Sequence, residues 1–277
     1  MKILISGSNG FLGSYLTRKL TEKSHELHPF SRKACFTSFL NNNYEYDLLI
    51  HVAAATPSNS PEEYIMSSNL DVASKLAFAA RKFNINKIIN ISSMSIYGDI
   101  SSLIVNEKTE SSNLTSYGLS KYLSELLFDK MLLNSAKVWH LRLPGVVGVG
   151  GYNASANFIS SVAESLSFGR TINLHSPNTK FNNIISDRTV LETIEFLINS
   201  DLSSGQFLLG SKNPQNLSNV INYLFESFNS KSKINWQDPP DNYIPFYLDI
   251  NKAITLGIPL YDTIDECDYL AEMLNYK

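Results

Sequence analysis

The chain has 277 residues, 43% of them hydrophobic, with 23 Lys and Arg against 26 Asp and Glu for a formal net charge of −3. That length suits one α/β domain with a smaller satellite or two compact lobes, and the absence of a basic block removes the electrostatic footprint of a nucleic-acid binder. No apolar run reaches the roughly 20 residues that cross a bilayer, Met1 leads directly into Ile3-Leu4-Ile5 without a signal-peptide layout, and Cys35 and Cys267 stand far apart without a CxxC or Cys/His cluster. A cytoplasmic protein is expected, with no membrane, nucleic-acid or metal partner and a small molecule as its ligand.

In chain order, Lys2 to Ile5 reads as a buried strand that breaks into Gly7, Gly10 and Gly13. Gly7 permits a tight turn, Gly10 a close approach of main chain to a pyrophosphate, and Gly13 close packing of the following helix. A dinucleotide is therefore expected on Gly7, Ser8, Asn9, Gly10, Phe11, Leu12 and Gly13. Leu12, Tyr15, Leu16 and Leu20 fall at helical spacing, and Leu27 to Phe30 follows as a strand in which Pro29 suits an end or an edge. Asp47 to Val52 is the next apolar run, Pro61 to Phe83 a long helix, and Lys87 to Ser92 a strand. Thr115 to Asn134 carries Leu119, Leu123, Leu126, Leu127 and Met131 on one helical stripe, and Lys137 to Leu143 is another strand. Alternation of this kind means a parallel sheet covered on both faces. The fold class expected is a Rossmann-type, doubly wound α/β sheet of about seven strands with a smaller mixed C-terminal substrate lobe. The dinucleotide-binding domain is expected over 1–145, with returning segments from about 180–210, and an interleaved substrate lobe over 146–277. Helices are expected at Asp187 to Asn199, Asn216 to Phe228 and Thr263 to Leu274, with the substrate in the cleft between the lobes.

The chemistry concentrates where the strand KIINIS runs into Ser92-Ser93-Met94-Ser95-Ile96-Tyr97-Gly98 and is followed by Tyr117-Gly-Leu-Ser-Lys121. Residues four apart on a helix share a face, so Tyr117 and Lys121 point the same way. An adjacent ammonium is expected to lower the phenol's pKa, letting Tyr117 pass a proton while a hydride moves to or from a nicotinamide. Ser93 then hydrogen-bonds the reacting oxygen, and Lys121 also holds a ribose hydroxyl. These three form the expected catalytic set, with Ser93, Met94 and Tyr117 also facing the substrate.

The succession of motifs resembles the extended short-chain dehydrogenases/reductases, the NAD-dependent epimerase/dehydratase family that acts largely on nucleotide-linked sugars. GxxGxxG stands at Gly7, Gly10 and Gly13, HxAA at His51-Val-Ala53-Ala54, a helix asparagine at Asn69, SSxxxYG at Ser92 to Gly98, and YxxxK at Tyr117 and Lys121. RxPxVxG follows at Arg142, Pro144, Val146 and Gly148, then FNNIISDR at Phe181 to Arg188 and LGIP at Leu256 to Pro259. The resemblance implies further cofactor contacts from His51, Ala53, Ala54, Asn69, Lys121 and Pro144, and places Asn153, Asn157 and Phe158 where the family receives the nucleotide of a sugar donor. It also implies a homodimer, paired through the two long helices. Dehydratases of the family carry Thr-Asp-Glu where this chain has Ser93-Met94-Ser95, so water elimination is not expected. The stretch between the second strand and DLLIHV is short and lacks the acidic residue that often contacts adenine.

Charge bears on the cofactor. Phe30 is followed by Ser31-Arg32-Lys33 in place of the carboxylate that accepts from an NAD ribose. Cationic side chains attract a 2′-phosphate, so NADP(H) is favoured, with NAD(H) possible. The leading function is a keto-sugar reductase or 4-epimerase on a nucleotide-linked sugar. Two others stay open: a catalytically idle NADP-binding sensor or assembly protein, and a reductase of non-nucleotide carbonyl compounds. Intact Ser93, Tyr117 and Lys121 speak against the first, and the Asn-rich segment Asn153 to Phe158 against the second.

Overall fold

The computed structural model describes residues 1–31, 35–148, 157–241 and 243–275. The chain forms two compact units, Met1–Asp99 with Ser111–Arg142 and Ile194–Phe207, and Ile100–Glu110 with Leu143–Thr193 and Leu208–Lys277.

The first unit is built on β1 (Lys2–Ser6), α1 (Phe11–Glu22), β2 (Glu26–Phe30), the five-residue α2 (Phe36–Leu40), β3 (Leu48–His51), α3 (Glu62–Lys82) and β4 (Lys87–Ser93). The chain then leaves through β5 (Ile104–Val105), which lies in the second unit, and returns as α4 (Ser116–Met131) and β6 (Lys137–Leu143). Six strands make one sheet in the order β11-β6-β4-β3-β1-β2, where β11 is Gly205–Leu208. The β1–β2, β1–β3 and β3–β4 pairings are parallel. Ile3 to Ile5, Leu48 to Ile50, Ile88 and Ile89 are fully buried, as unbroken apolar runs of a sheet covered on both faces must be.

The sheet is Rossmann-type and has six strands where about seven were expected. In the full order a further strand lies outside β2. Here the described residues between Phe30 and Leu48 include α2 and Asn-Asn-Asn-Tyr-Glu-Tyr, which has no alternating apolar pattern, and no strand. β2 is therefore an edge, which is why Pro29 is tolerated opposite Ile5. An aromatic cluster flanks it, with Phe39 edge-on to Phe30 and to Phe83 at 5.4 Å each.

The long helices begin with caps: Pro61 precedes α3, and Thr115 Oγ1 accepts from the Gly118 N–H at the start of α4. The buried face of α4 is not its leucine stripe. It consists of Gly118, Ser120, Lys121, Ser124, Glu125 and Phe128, while Leu126 is 40% exposed. Polar residues occupy that face because each finds a partner there.

The second unit holds β7 (Gly145–Val147), α5 (Phe158–Ser167), β8 (Ile172–His175), β9 (Lys180–Phe181), β10 (Ile184–Ser186) and α6 (Asp187–Asn199), whose last turns belong to the first unit. It continues with β12 (Gln215–Asn216), α7 (Leu217–Ser227), β13 (Ile234–Gln237), β14 (Tyr247–Leu248), α8 (Asn251–Thr255) and α9 (Thr263–Asn275). β10 pairs with β7 and does not extend the central sheet. Val162, Leu166, Ile184, Val220, Ile221, Leu224 and Cys267 share its core. Both cysteines are free. Among the described residues no helix is long and apolar enough to cross a membrane.

Candidate active site

β1 and β3 are neighbours whose chains depart to opposite sides of the sheet, and the turns beyond their carboxyl ends lie together at this switch point. Gly7 has φ +73°, and a Cβ there would lie 2.7 Å from both Cα and N of Ala53. A Cβ on Gly13 would lie 2.0 Å from the Gly7 carbonyl oxygen, so α1 packs directly on the turn. Gly10 caps α1 without a side-chain bond, and its N–H donates to the Gly7 carbonyl at 2.9 Å. Asn9 and Gly10 are exposed, Ser8, Phe11, Ala53 and Ala54 are half-buried, and the Leu12 side chain is in the core. A main-chain cradle at a helix N-terminus, in which Gly7 and Gly13 stand where a Cβ would clash with main chain, fits the pyrophosphate of a dinucleotide. Ser31 is exposed, and Arg32 and Lys33 lie outside the described residues.

His51 faces the core beneath this cradle. Ser6 Oγ accepts from the Val52 and Ala53 N–H groups at 3.2 Å each, so its proton goes to His51 Nδ1 at 2.7 Å. Burial, with the charge of Lys121 adding to it, pushes the imidazole down to about 3. His51 thus supports the turn as a neutral acceptor. The unfolded state, with its pKa near 6.5, binds the proton that the folded state refuses, so stability falls as pH drops from about 6.5 toward 3. Between pH 6.5 and 5 this costs about 2 kcal/mol. His51→Asn keeps an acceptor without a titrating ring and should lose correspondingly less stability over that interval, as measured by urea unfolding at the two pH values.

Asn69 staples three elements. Its Oδ1 accepts from the Ala55 N–H at 2.6 Å, and its Nδ2 donates to the Ala55 carbonyl at 3.0 Å and to Ser120 Oγ at 2.9 Å. The loop after β3 is thereby tied to α3 and to the first turn of α4. Ser120 in turn donates to the Tyr117 carbonyl. Asn69 thus holds the main chain of the loop after β3.

Ser93 ends β4 and caps the short 3₁₀ turn Met94–Tyr97, accepting from the Ser95 N–H at 3.1 Å. Met94 is half-buried at the head of that turn. Gly118, a residue that sequence reasoning passed over, brings α4 against it: a Cβ at 118 would lie 2.2 Å from the Ser95 carbonyl oxygen. Tyr117 is half-buried, and burial raises its phenol above the usual value while an interaction with the Ser93 side chain acts the other way. Lys121 lies one turn on, its Nζ 5.9 Å from the Tyr117 ring centre and donating to the Ile91 carbonyl at 2.7 Å. The expected lowering of the phenol by this ammonium is not what the site displays. The lysine is spent on a main-chain carbonyl and burial prevails at the tyrosine. Burial also pushes Lys121 down to about 8, against an upward pull from Glu125.

Glu125, likewise not anticipated, is buried and accepts from Ser92 Oγ and from Arg142, at 3.1 Å from Nε and 2.7 Å from Nη2. Arg142 also donates from Nη1 to Tyr97 Oη at 3.2 Å. The i, i+4 spacing of Lys121 and Glu125 was the available sequence signal. Removing one partner of such a buried pair costs about 3–5 kcal/mol.

The second unit contains the other named residues. Asn157 caps α5, its Oδ1 accepting from the Ser160 N–H at 2.9 Å and its Nδ2 donating to the Val146 carbonyl at 2.9 Å. The expected phosphate donor is thus engaged in holding the helix start. Phe158 is 47% exposed, with its ring 6.1 Å from Phe181, and Pro144 is buried. Asn153 lies outside the described residues. Asp187 accepts from Tyr269 Oη at 2.7 Å, and Arg188 lies over the rings of Tyr261 and Tyr269 at 4.2 and 4.9 Å.

The glycine turn thus follows β1, Ser93 ends β4 on the far side of β3, and Tyr117 and Lys121 lie on α4. Residues 3–180 match the NAD dependent epimerase/dehydratase family, and the chain belongs to that family. A curated relative, CDP-abequose synthase of Yersinia pseudotuberculosis, is 23% identical over 75% of this chain and 76% of its own. UDP-glucose 4-epimerase of Thermotoga maritima, solved with UDP-glucose, shares the fold at a TM-score of 0.82 and 17% identity, covering 100% of this chain and 99% of that one. RMD of Pseudomonas aeruginosa, solved with NADPH, does so at 0.77 and 16%, covering 99% of each. Other structures of this fold hold NAD.

Proposed function

We propose that this protein is an NAD(P)-dependent keto-sugar reductase or 4-epimerase acting on a nucleotide-linked sugar, with Ser93, Tyr117 and Lys121 as its catalytic residues. The observation that carries the reading is the half-buried Tyr117 phenol against Ser93, with Lys121 buried one helical turn away. The bound dinucleotide supplies or accepts the hydride. Ser93 Oγ hydrogen-bonds the reacting sugar oxygen and fixes it against Tyr117. Tyr117 Oη gives that oxygen a proton on reduction or removes one on oxidation. Burial keeps the phenol protonated at rest, the form from which a reduction starts. Lys121 supplies positive charge beneath the tyrosine and holds a ribose hydroxyl. The turn at Gly7, Gly10 and Gly13 holds the pyrophosphate, and Arg32 and Lys33 favour NADP(H) by pairing with a 2′-phosphate. Asn153 and Phe158 receive the nucleotide of the substrate. The family relatives' nucleotide-linked sugars support this substrate class. The half-exposed leucine stripe of α4 supports pairing of two copies through α3 and α4.

The test is incubation with NADPH or NADH and a panel of nucleotide-linked 4-keto sugars and sugars, following both nicotinamide absorbance and product identity. Net oxidation, faster with NADPH, is expected for a reductase, and product change without net oxidation for an epimerase. Turnover confined to non-nucleotide carbonyls would contradict the proposal.

A further inference from the structure

The polar cluster around Glu125 does no proton transfer in the reaction proposed above, yet it joins every element that carries the reacting groups. Lys121 and Glu125 are 3% and 2% exposed and occupy successive turns of α4. They engage successive residues of β4: Lys121 donates to the Ile91 carbonyl, and Glu125 accepts from Ser92 Oγ. Ser92 immediately precedes Ser93. The other side of the carboxylate is clamped by Arg142 of β6, whose remaining amine donates to Tyr97 Oη, at the end of the 3₁₀ turn that Ser93 caps.

Four elements supply the groups around Lys121 and Glu125. α4 presents Tyr117 and Glu125, β3 presents His51, and β4 presents the Ile91 carbonyl and Ser92. β6 presents Arg142, whose guanidinium is paired with Glu125. His51 is neutral and the phenol of Tyr117 is protonated, so neither compensates a buried ammonium. Glu125 is the carboxylate placed to do so.

We infer that Glu125 is a positioning residue of the site: it keeps Lys121 charged inside the protein and, through Ser92 and the Arg142–Tyr97 link, holds Ser93 and Tyr117 on their respective elements. This rests on the reading of Tyr117 and Lys121 as the reacting pair. A buried ammonium loses its charge readily when a neighbouring carboxylate is removed. Because burial already pulls Lys121 down to about 8, loss of Glu125 would bring its titration into the neutral range or below. Arg142 has the opposite sign of effect, since it draws the field of the carboxylate away from Lys121.

The experiment is carbon-13 NMR of lysine-labelled full-length protein, titrated with pH, with the Lys121 signal identified by its loss in Lys121→Arg. In Glu125→Gln the Lys121 midpoint is expected to fall by about one pH unit or more, a tenfold change in its acid constant. In Arg142→Met it is expected to rise. An unchanged midpoint in Glu125→Gln, or shifts in the same direction in both variants, would overturn the inference. Should Glu125→Gln fail to fold, the double variant Glu125→Gln/Arg142→Met removes both charges. A midpoint below that of the Arg142→Met single variant then supports the inference, and an equal one overturns it. The titration needs no substrate, so its failure is distinguishable from a failure of the proposed reaction, which an active Tyr117→Phe variant would reveal.

Discussion

Tyr117→Phe is expected to lower turnover by about 10²–10⁴-fold, the range associated with a positioned general acid–base group, while leaving dinucleotide affinity within about twofold of the parent protein. The ring keeps its place at the start of α4, because the Thr115 cap, the Gly118 contact and the Asn69–Ser120 bond do not depend on the hydroxyl. What disappears is the proton carrier and its interaction with Ser93. Loss of that interaction should cost folding only about 1 kcal/mol, the usual worth of one hydrogen bond. Single-turnover kinetics and a dinucleotide titration of the same preparation separate the two effects. A variant that turns over at near the parent rate would remove Tyr117 from the chemistry.

The second large effect is expected from Gly118→Ala, a change of one methyl group on a residue that touches no reactant. Its Cβ would lie 2.2 Å from the Ser95 carbonyl oxygen and 3.1 Å from the Ser95 carbonyl carbon, and both belong to main chain that cannot rotate away. Relief requires α4 to retreat from the 3₁₀ turn. That retreat moves Tyr117 away from Ser93, and a displacement of about 1 Å at a reacting pair can cost 10²-fold in rate. Gly169→Ala is the control. Gly169, unlike Gly118, has positive φ, +67°, but a Cβ there would meet nothing within 4 Å, so only backbone strain is added. Turnover should fall about 10²-fold in Gly118→Ala and stay near the parent value in Gly169→Ala, as read by kcat at saturating dinucleotide. Equal losses in the two would mean that the effect is general destabilisation.

The parts legible in the sequence are those written in local periodicity. The run Ile3-Leu4-Ile5, the glycine turn and the four-residue spacing of Tyr117 and Lys121 each specify their own geometry within a few residues. The sheet's edge was less legible, because the missing strand outside β2 is an absence of pattern in Asn41 to Tyr46. The buried face of α4 was not legible for a related reason. Leucine at helical spacing ordinarily marks the core, but Ser120, Lys121, Ser124 and Glu125 are buried in its place by partners contributed from α3, β4 and β6. Such partnerships join residues distant in sequence: Ser92 with Glu125 spans 33 positions and Asn69 with Ser120 spans 51. The charge balance at Tyr117 is legible only in three dimensions, since the Ile91 carbonyl that takes the Lys121 ammonium belongs to β4. Asn157 has the composition of a ligand donor, and its capping geometry at α5 reveals its structural use.

The central claim is that Ser93, Tyr117 and Lys121 serve a redox step on a nucleotide-linked sugar. Its most direct test is rapid mixing of dinucleotide-loaded protein with nucleotide-linked sugars and 4-keto sugars, following nicotinamide absorbance in the parent protein and in Tyr117→Phe. A change in the redox state of the nicotinamide in the parent, absent or slowed by about 10²-fold or more in the variant, is the predicted result. The same change at the same rate in both proteins, or none in the parent with any member of the panel, would contradict it.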